Sequence, residues 1–273
     1  MRMKKSLTSF VLCLFAVLAY AQEYKTVENI AYHADAGEYA AERCKLDVYY
    51  QDGVKDLPVV VWFHGGGLTS GNKEIPAQLK NSKIIVVGVN YRLLPKAELP
   101  EVIDDAAAAV AWTFKNIAQY GGDVNKIYVS GHSAGGYLTN MIGLDKKWLA
   151  NDDIDADKIA ALVPFSGQVI THFAYRQAKG MKNTQPLIDE FAPLYWIRPD
   201  APKIVIISGD RNEEMLGRYE ETAYFWRMLK VVGHPDVTMY EMDGYNHGEM
   251  AAPAFHLLKK YVVYPRPAIN WNR

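Results

Sequence analysis

Short apolar runs alternate with longer helical patterns along most of this chain, and no other feature restricts its fold as strongly. Strands that are buried on both faces read as continuous apolar runs, and long crossovers between them favour parallel pairing. Leu46, Val48 and Tyr50 instead alternate with polar residues, as a half-exposed early strand does. The continuous runs lie at 58–63, 84–89, 127–130, 160–163 and 204–208. We therefore predict an α/β fold, a mainly parallel central sheet with helices on both faces.

The two longest helical patterns each end at a glycine. Residues 101–120 run into Gly121 and Gly122, and residues 218–232 run into Gly233. Glycine suits the left-handed position that closes a helix, because it has no Cβ to clash there. The spacing therefore predicts helices over both segments.

Residues 1–21 read as an export signal. Three basic residues precede an apolar run at 10–19, and small residues follow up to Ala21. A permanent membrane anchor is the alternative, but the run is shorter than the roughly 20 residues that span a bilayer. We expect cleavage after Ala21, a secreted or periplasmic protein, and a single domain over residues 22–273 without stable membrane insertion.

Charge and cysteine content each restrict the expected partners and chemistry. The formal net charge is −1, and no cluster of basic residues could follow a phosphate backbone, so nucleic acid is not an expected partner. Cys13 lies in the predicted signal, which leaves Cys44 without an internal disulfide partner. We expect Cys44 to be a buried, unreactive side chain.

One segment, residues 166–202, departs from the alternation of strands and helices. It carries several aromatic residues without clean periodicity and lies between two predicted strands. It is either a cap inserted over the site or an ordinary helical excursion whose aromatic side chains fill the core.

The strongest motif is Gly131-His132-Ser133-Ala134-Gly135, which follows a predicted strand and precedes a helical run at 136–143. A serine on such a sharp strand-to-helix turn has a strained backbone, and the glycines let strand and helix approach closely. Its hydroxyl then projects into a cleft, beside the N–H groups of the helix N-terminus. The motif predicts that Ser133 is a catalytic nucleophile.

A second motif, His64-Gly65-Gly66-Gly67, directly follows the strand at 58–63. Glycines allow several backbone N–H groups to surround one oxygen. We therefore assign an oxyanion hole to Gly65, Gly66 and Gly67 together with Ala134, and a structural role to His64. The alternative, a phosphate-binding loop, is disfavoured because no Gly-Lys-Ser/Thr follows.

A serine nucleophile needs a general base, and His247 fits best among seven histidines. It follows a strand-like segment at 237–242 and a turn, late in the chain, where the order serine, acid, histidine places the base. His132 is too close to Ser133 in sequence to face its hydroxyl, and His256 lies within the last predicted helix. Packing or surface positions suit those two.

The acid is less well determined, because residues 209–214 offer several candidates after the strand at 204–208. Asp210 is the first choice, since a carboxylate there would orient the imidazole and stabilise its protonated form. Glu213 and Glu214 are alternatives if the loop is longer than usual, and Asp243 is a remote one.

With these motifs in order, the chain resembles the α/β-hydrolase superfamily, specifically its hormone-sensitive-lipase-like and bacterial feruloyl or acetyl xylan esterase types. Residues 90–93, Asp104-Asp105 and 122–127 also match the family's usual pattern. The resemblance implies that Tyr91, Arg92 and Asp105 are scaffold residues near the site. It also implies an acid three residues after the glycine that ends the seventh strand, but that position holds Asn212.

Three functions follow from these observations. The first is a cofactor-free serine esterase, and the resemblance implies acetyl or feruloyl esters of carbohydrate as its substrates. The second is an amide hydrolase of arylformamidase or peptidase type, although Leu68 and Thr69 stand where formamidases usually carry tryptophan. The third is a non-catalytic binding module, in which Asn212 marks a decayed triad. No zinc-like spacing, dinucleotide fingerprint or pattern that specifies an oligomeric state is present.

Overall fold

The computed structural model describes residues 23–33, 37–182 and 184–264, so the predicted signal at 1–21 lies outside the described residues. The strands are β1 (Tyr24–Ala31), β2 (Lys45–Gln51), β3 (Leu57–Phe63), β4 (Ile85–Val89), β5 (Gly122–His132), β6 (Ala161–Phe165), β7 (Ile204–Gly209) and β8 (Val237–Met242). The α-helices are α1 (Glu38–Arg43), α2 (Leu99–Asn116), α3 (Ala134–Leu144), α4 (Lys147–Ala150), α5 (Phe173–Ala178), α6 (Arg218–Val231) and α7 (Ala251–Val263). Short 3-10 helices lie at Ala77–Leu79, Ile117–Tyr120, Ala156–Lys158 and Pro193–Trp196.

The strands form one sheet in the order β1-β2-β4-β3-β5-β6-β7-β8. All neighbours from β4 to β8 pair in parallel, whereas β2 runs antiparallel to both β1 and β4. The mainly parallel sheet is therefore confirmed. The prediction missed β1, an edge strand whose side chains are mostly exposed and which carries no apolar run.

Helices cover both faces of the sheet, as expected. Along β3, Val59, Val61 and Phe63 pack into the core beneath α2, α3 and α6. Val60 and Trp62 point to the opposite face and pack with α7. Alternate side chains of a strand point to opposite faces, so an uninterrupted apolar run supplies both layers.

The two glycine-terminated helices are present with small differences in their bounds. The predicted helix at 101–120 is α2 followed by a 3-10 turn, and Gly121 after it has a φ of 83°. The predicted helix at 218–232 is α6, and Gly233 after it has a φ of 86°. Both glycines have the left-handed backbone that was expected.

Cys44, between α1 and β2, is a free thiol with 1% of its surface exposed. Burial raises the pKa of this thiol to about 12, so the reactive thiolate is scarce at neutral pH. The expectation of a buried cysteine is confirmed.

Candidate active site

The turn between β5 and α3 presents Ser133 with a φ of 55° and a ψ of −112°, a strained conformation for a residue with a side chain. The glycines on either side are required by sterics. A Cβ added to Gly135 would lie 2.1 Å from the carbonyl oxygen of Phe63, and one added to Gly131 would lie 2.6 Å from the same atom. The close approach of β3 to this turn therefore admits only glycine at those two positions.

The imidazole of His247 lies next to this serine, at the same edge of the sheet. Its Nε2 atom is 2.9 Å from Ser133 Oγ, although the two residues are 114 positions apart. His247 follows β8 and precedes α7. The structure therefore brings together the two residues that were predicted as nucleophile and base.

His132 contributes to this arrangement in a way that the sequence did not indicate. Its Nε2–H donates to the main-chain oxygen of His247 at 2.7 Å, and the two rings lie 4.8 Å apart. Burial lowers the pKa of His132 to about 4, so its ring is neutral at pH 7. The ring fixes the main chain of His247 rather than facing the Ser133 hydroxyl.

The first choice for the acid, Asp210, is wrong. Glu214 Oε1 lies 2.5 Å from Nδ1 of His247, the ring atom that faces away from Ser133. Asp210 instead accepts hydrogen bonds from the backbone N–H groups of Gly244 and Asn212, both at 2.7 Å. Its two carboxylate oxygens are therefore committed to main chain, and these bonds lower the pKa of Asp210.

A tight turn explains why the acid stands five residues after Gly209 rather than three. The N–H of Glu214 donates to the carbonyl oxygen of Asp210 at 2.8 Å, which returns the chain to the edge of the sheet. Asn212 lies on the outside of this turn and contributes its N–H to the Asp210 side chain. Glu214, the alternative that the sequence offers for a longer loop, is the residue that this turn brings to His247.

The carboxylate of Glu214 is buried, with 1% of its side chain exposed, and four donors satisfy it. Oε1 accepts from His247 and from the N–H of Met215, at 2.5 and 2.9 Å. Oε2 accepts from the hydroxyl of Ser166 and from the N–H of Gly209, at 2.6 and 3.2 Å. Burial raises the pKa of Glu214, but the hydrogen bonds outweigh it and lower the pKa to about 2. The carboxylate is therefore ionised at neutral pH.

The glycine loop after β3 lies against the same turn. A Cβ added to Gly65 would lie 3.6 Å from the Cβ of Ser133. The Gly65 carbonyl accepts from His64 Nδ1 at 2.6 Å, and the Gly66 carbonyl accepts from Ser70 N at 3.0 Å. In a trans peptide the N–H points opposite to the carbonyl of the preceding residue. The N–H of Gly66 therefore points away from His64 Nδ1, and the N–H of Gly67 points away from Ser70 N. Ala134 is the first residue of α3, where N–H groups lack partners within the helix.

One of the expected scaffold residues, Tyr91, contacts His64 at the start of this loop. Tyr91 stacks on the ring of His64 at 4.3 Å and donates its hydroxyl to the His64 carbonyl at 2.8 Å. Arg92 is held by a buried ion pair with Asp105 at 2.7 Å. The structural roles expected of these four residues are confirmed, and burial lowers the pKa of His64 to about 4.

A cavity of about 510 Å³ lies beside the site. Phe173 lines this cavity and also contacts the glycine loop, since a Cβ added to Gly67 would lie 3.2 Å from the Phe173 ring. Met215, next to Glu214, and Leu216 form the other wall, and Leu216 is fully exposed at the rim. The segment at 166–202 supplies much of the remaining lining, and most of its aromatic side chains also pack against the core.

Comparison with known proteins agrees with this architecture. Carboxylesterase NlhH of Mycobacterium tuberculosis is 43% identical over 101 residues, which cover 35% of this chain and 32% of that protein. The probable carboxylic ester hydrolase LipM of the same organism is 27% identical over 248 residues, or 81% of this chain and 56% of that protein. The chain thus spans less than two thirds of the length of either relative.

A truncated carbohydrate esterase from gut microbiota superposes with a TM-score of 0.72 and 19% identity, over 88% of this chain and 95% of that one. This superposition confirms the predicted α/β-hydrolase fold. The BD-FAE family model matches residues 46–218, more than half of the chain. A match of that extent places the chain in the BD-FAE family, within the α/β-hydrolase superfamily that its motifs resemble.

Proposed function

We propose that this protein hydrolyses carboxylic esters through an acyl-enzyme on Ser133. The observation that carries the proposal is an unbroken hydrogen-bonded chain from Ser133 Oγ through His247 to Glu214, with contacts of 2.9 and 2.5 Å. Similarity to the curated ester hydrolases supports the same reaction. The hypothesis of a non-catalytic binding module depended on Asn212, which has no carboxylate. Glu214 supplies a carboxylate to His247, so that hypothesis loses its basis.

The geometry accounts for each proton transfer of this reaction. His247 Nδ1–H donates to Glu214, so Nε2 is the acceptor that takes the proton of Ser133 Oγ as the serine attacks the ester carbonyl. The imidazolium then returns that proton to the departing alcohol. Water attacks the acyl-enzyme with His247 again as the base, and the carboxylic acid leaves. Throughout, ionised Glu214 stabilises the imidazolium.

The oxyanion that forms at the ester carbonyl needs donors beside Ser133. We assign these to the N–H of Ala134 and to the N–H groups of the Gly65–Gly67 loop. The packing of Gly65 against Ser133 supports this assignment, and so do the N–H groups of Gly66 and Gly67, which point away from His64 Nδ1 and Ser70 N. Each such donor contributes about 3 kcal/mol of transition-state stabilisation.

Hydrolysis of p-nitrophenyl acetate tests the reaction. We expect turnover by the wild type and loss of turnover in Ser133→Ala, because no other group can form the acyl-enzyme. A fluorophosphonate probe should label the wild type but not Ser133→Ala. Folded wild-type protein that is neither labelled nor active on any acyl ester would overturn the proposal.

For the substrate, we propose esters of carbohydrate with acetyl or feruloyl groups. The fold shared with a carbohydrate esterase and the family motifs support the carbohydrate part. The cavity supports feruloyl, because its volume is in the range of small-molecule sites and an acetyl group would leave most of it empty. Ile170, Phe173 and Leu216 offer apolar walls to an aromatic ring.

Filling the cavity tests the acyl preference. Ile170→Trp should lower kcat/KM for methyl ferulate strongly and leave p-nitrophenyl acetate turnover nearly unchanged, because only the large acyl group needs the cavity. Val231→Trp adds the same bulk on an exposed part of α6 and serves as control. Equal effects of Ile170→Trp on both esters would contradict the assignment.

We also propose that the protein is exported and that cleavage follows Ala21. The basic and apolar segments within residues 1–21 support this, and the described helices are all too short or too polar to cross a bilayer. Expression in a bacterial host should yield periplasmic protein whose N-terminal sequence begins at Gln22. Unprocessed protein in the cytoplasm would contradict it.

A further inference from the structure

Ser166, the residue directly after β6, has an unusual backbone and is almost completely buried. Its φ is 46°, in the left-handed region, and 1% of its surface is exposed. Its N–H donates to Ile207 at 2.7 Å, and its carbonyl accepts from Arg218 at 2.5 Å. The main chain is therefore held from two sides, and it directs the hydroxyl toward the site.

The hydroxyl of Ser166 contacts both partners of the acid and base pair. It lies 2.6 Å from Glu214 Oε2 and 3.1 Å from His247 Nδ1. An ionised carboxylate only accepts, so the hydroxyl proton goes to Glu214. The lone pairs of the oxygen then face the Nδ1–H of His247, which is shared between Ser166 and Glu214.

We infer that Ser166 is a positioning residue for the proposed ester hydrolysis, acting through Glu214 and His247 without touching the substrate. Its donated bond holds the carboxylate ionised and restricts its rotation. Its lone pairs give the imidazolium a second acceptor at the moment that Ser133 loses its proton. The first effect holds the carboxylate in place in both protonation states of His247. The second is stronger when the ring is protonated, so it acts on kcat.

The backbone conformation at position 166 does not favour serine, so the hydroxyl accounts for serine at this position. Glycine adopts a positive φ without steric cost, whereas serine does not. Ser166→Gly should therefore fold with a melting temperature close to that of the wild type. It removes the hydroxyl while leaving the main-chain bonds to Ile207 and Arg218 available.

The test compares Ser166→Gly, Ser166→Ala and Ser166→Cys with the wild type on p-nitrophenyl acetate. We expect kcat to fall about 10- to 100-fold in the Gly and Ala variants with KM unchanged, because a hydrogen bond to a charged group is lost. Cysteine, a weaker donor and acceptor of similar shape, should restore part of kcat. The matched control is Ser208→Ala, a buried hydroxyl at the end of β7 without a hydrogen-bond partner among the described residues.

A spectroscopic measurement separates this inference from the proposed reaction on which it rests. Proton NMR of the free protein should show a low-field resonance for the Nδ1–H of His247, whose chemical shift changes in Ser166→Gly but not in Ser208→Ala. That result without esterase activity in the wild type would contradict the proposed reaction and still support the contact. Wild-type kcat, or an unmoved resonance, in folded Ser166→Gly and Ser166→Ala would overturn the inference.

Discussion

The turn after β5 and the loop after β7 each place one side chain at the same edge of the sheet, but they hold it differently. In the first, backbone packs on backbone, and Gly131 and Gly135 leave no space for a Cβ beside Phe63. In the second, two carboxylates accept hydrogen bonds from main-chain N–H groups. Asp210 accepts from Gly244, which follows β8, and Glu214 accepts from Met215 in the same loop. The first arrangement should be sensitive to added atoms and the second to lost charge.

The largest expected effect comes from the second region. Glu214→Gln should lower kcat about 1,000- to 10,000-fold, because an amide orients the imidazole but does not stabilise the imidazolium. Asp210→Asn is the matched control, four positions away, and should lower kcat about tenfold or less, since it removes only a bond between loops. Steady-state kinetics measure kcat of both variants. A larger loss of kcat in Asp210→Asn than in Glu214→Gln would assign the acid to Asp210 instead.

The next effect is on the stability of the first region. Gly135→Ala should lower the free energy of unfolding by about 3 kcal/mol, because the new Cβ overlaps a main-chain oxygen that cannot move aside easily. Gly180→Ala, where no atom lies within 4 Å but φ is 74°, should lower it by only about 1 kcal/mol. Urea unfolding measures both, and equal losses would contradict the steric explanation.

The third prediction concerns pH and again tests the second region. The pKa of Glu214 is lowered from an ordinary value near 4.3 to about 2, so its ionised form stabilises the fold above pH 4.3. This contribution, roughly 3 kcal/mol, should be lost as pH falls from about 4.5 to 2. Unfolding measured across that interval should show a flatter dependence in Glu214→Gln, and an unchanged slope would contradict the assignment.

The smallest effect has the opposite sign. Ser133→Gly should raise the free energy of unfolding by about 1 kcal/mol while abolishing activity, because glycine relieves the strained backbone of the turn. Ser130→Gly, three residues earlier in a regular strand, should instead lower stability by about 1 kcal/mol. Thermal unfolding compares the two, and destabilisation by Ser133→Gly would contradict the presence of strain.

Ser133 and His247 could be located from the sequence because a local motif marks the first and the order of elements marks the second. The turn around Ser133 is determined by glycines two residues away, and His247 by the order of strands along the chain. The acid depends instead on how the four residues between Gly209 and Glu214 fold. Asp210 and Asn212 carried a usable signal, since aspartate often accepts from the N–H two residues on and begins a turn.

Two further features were missed because their signals are weak in sequence. β1 pairs at the edge of the sheet with mostly exposed side chains, so no periodic apolar pattern marks it. Ser166 stands three residues after the predicted strand at 160–163, near the edge where carboxyl ends of parallel strands converge, but serine is common in loops. Only the coordinates distinguish this hydroxyl from an ordinary surface one.

Alkylation of the buried thiol of Cys44 reports transient opening of the core. An alkylating reagent reaches this sulfur only when the packing around it opens, because 1% of the residue is exposed in the folded state. The rate of alkylation over hours therefore measures rare excursions from the native state, without an engineered dye or label.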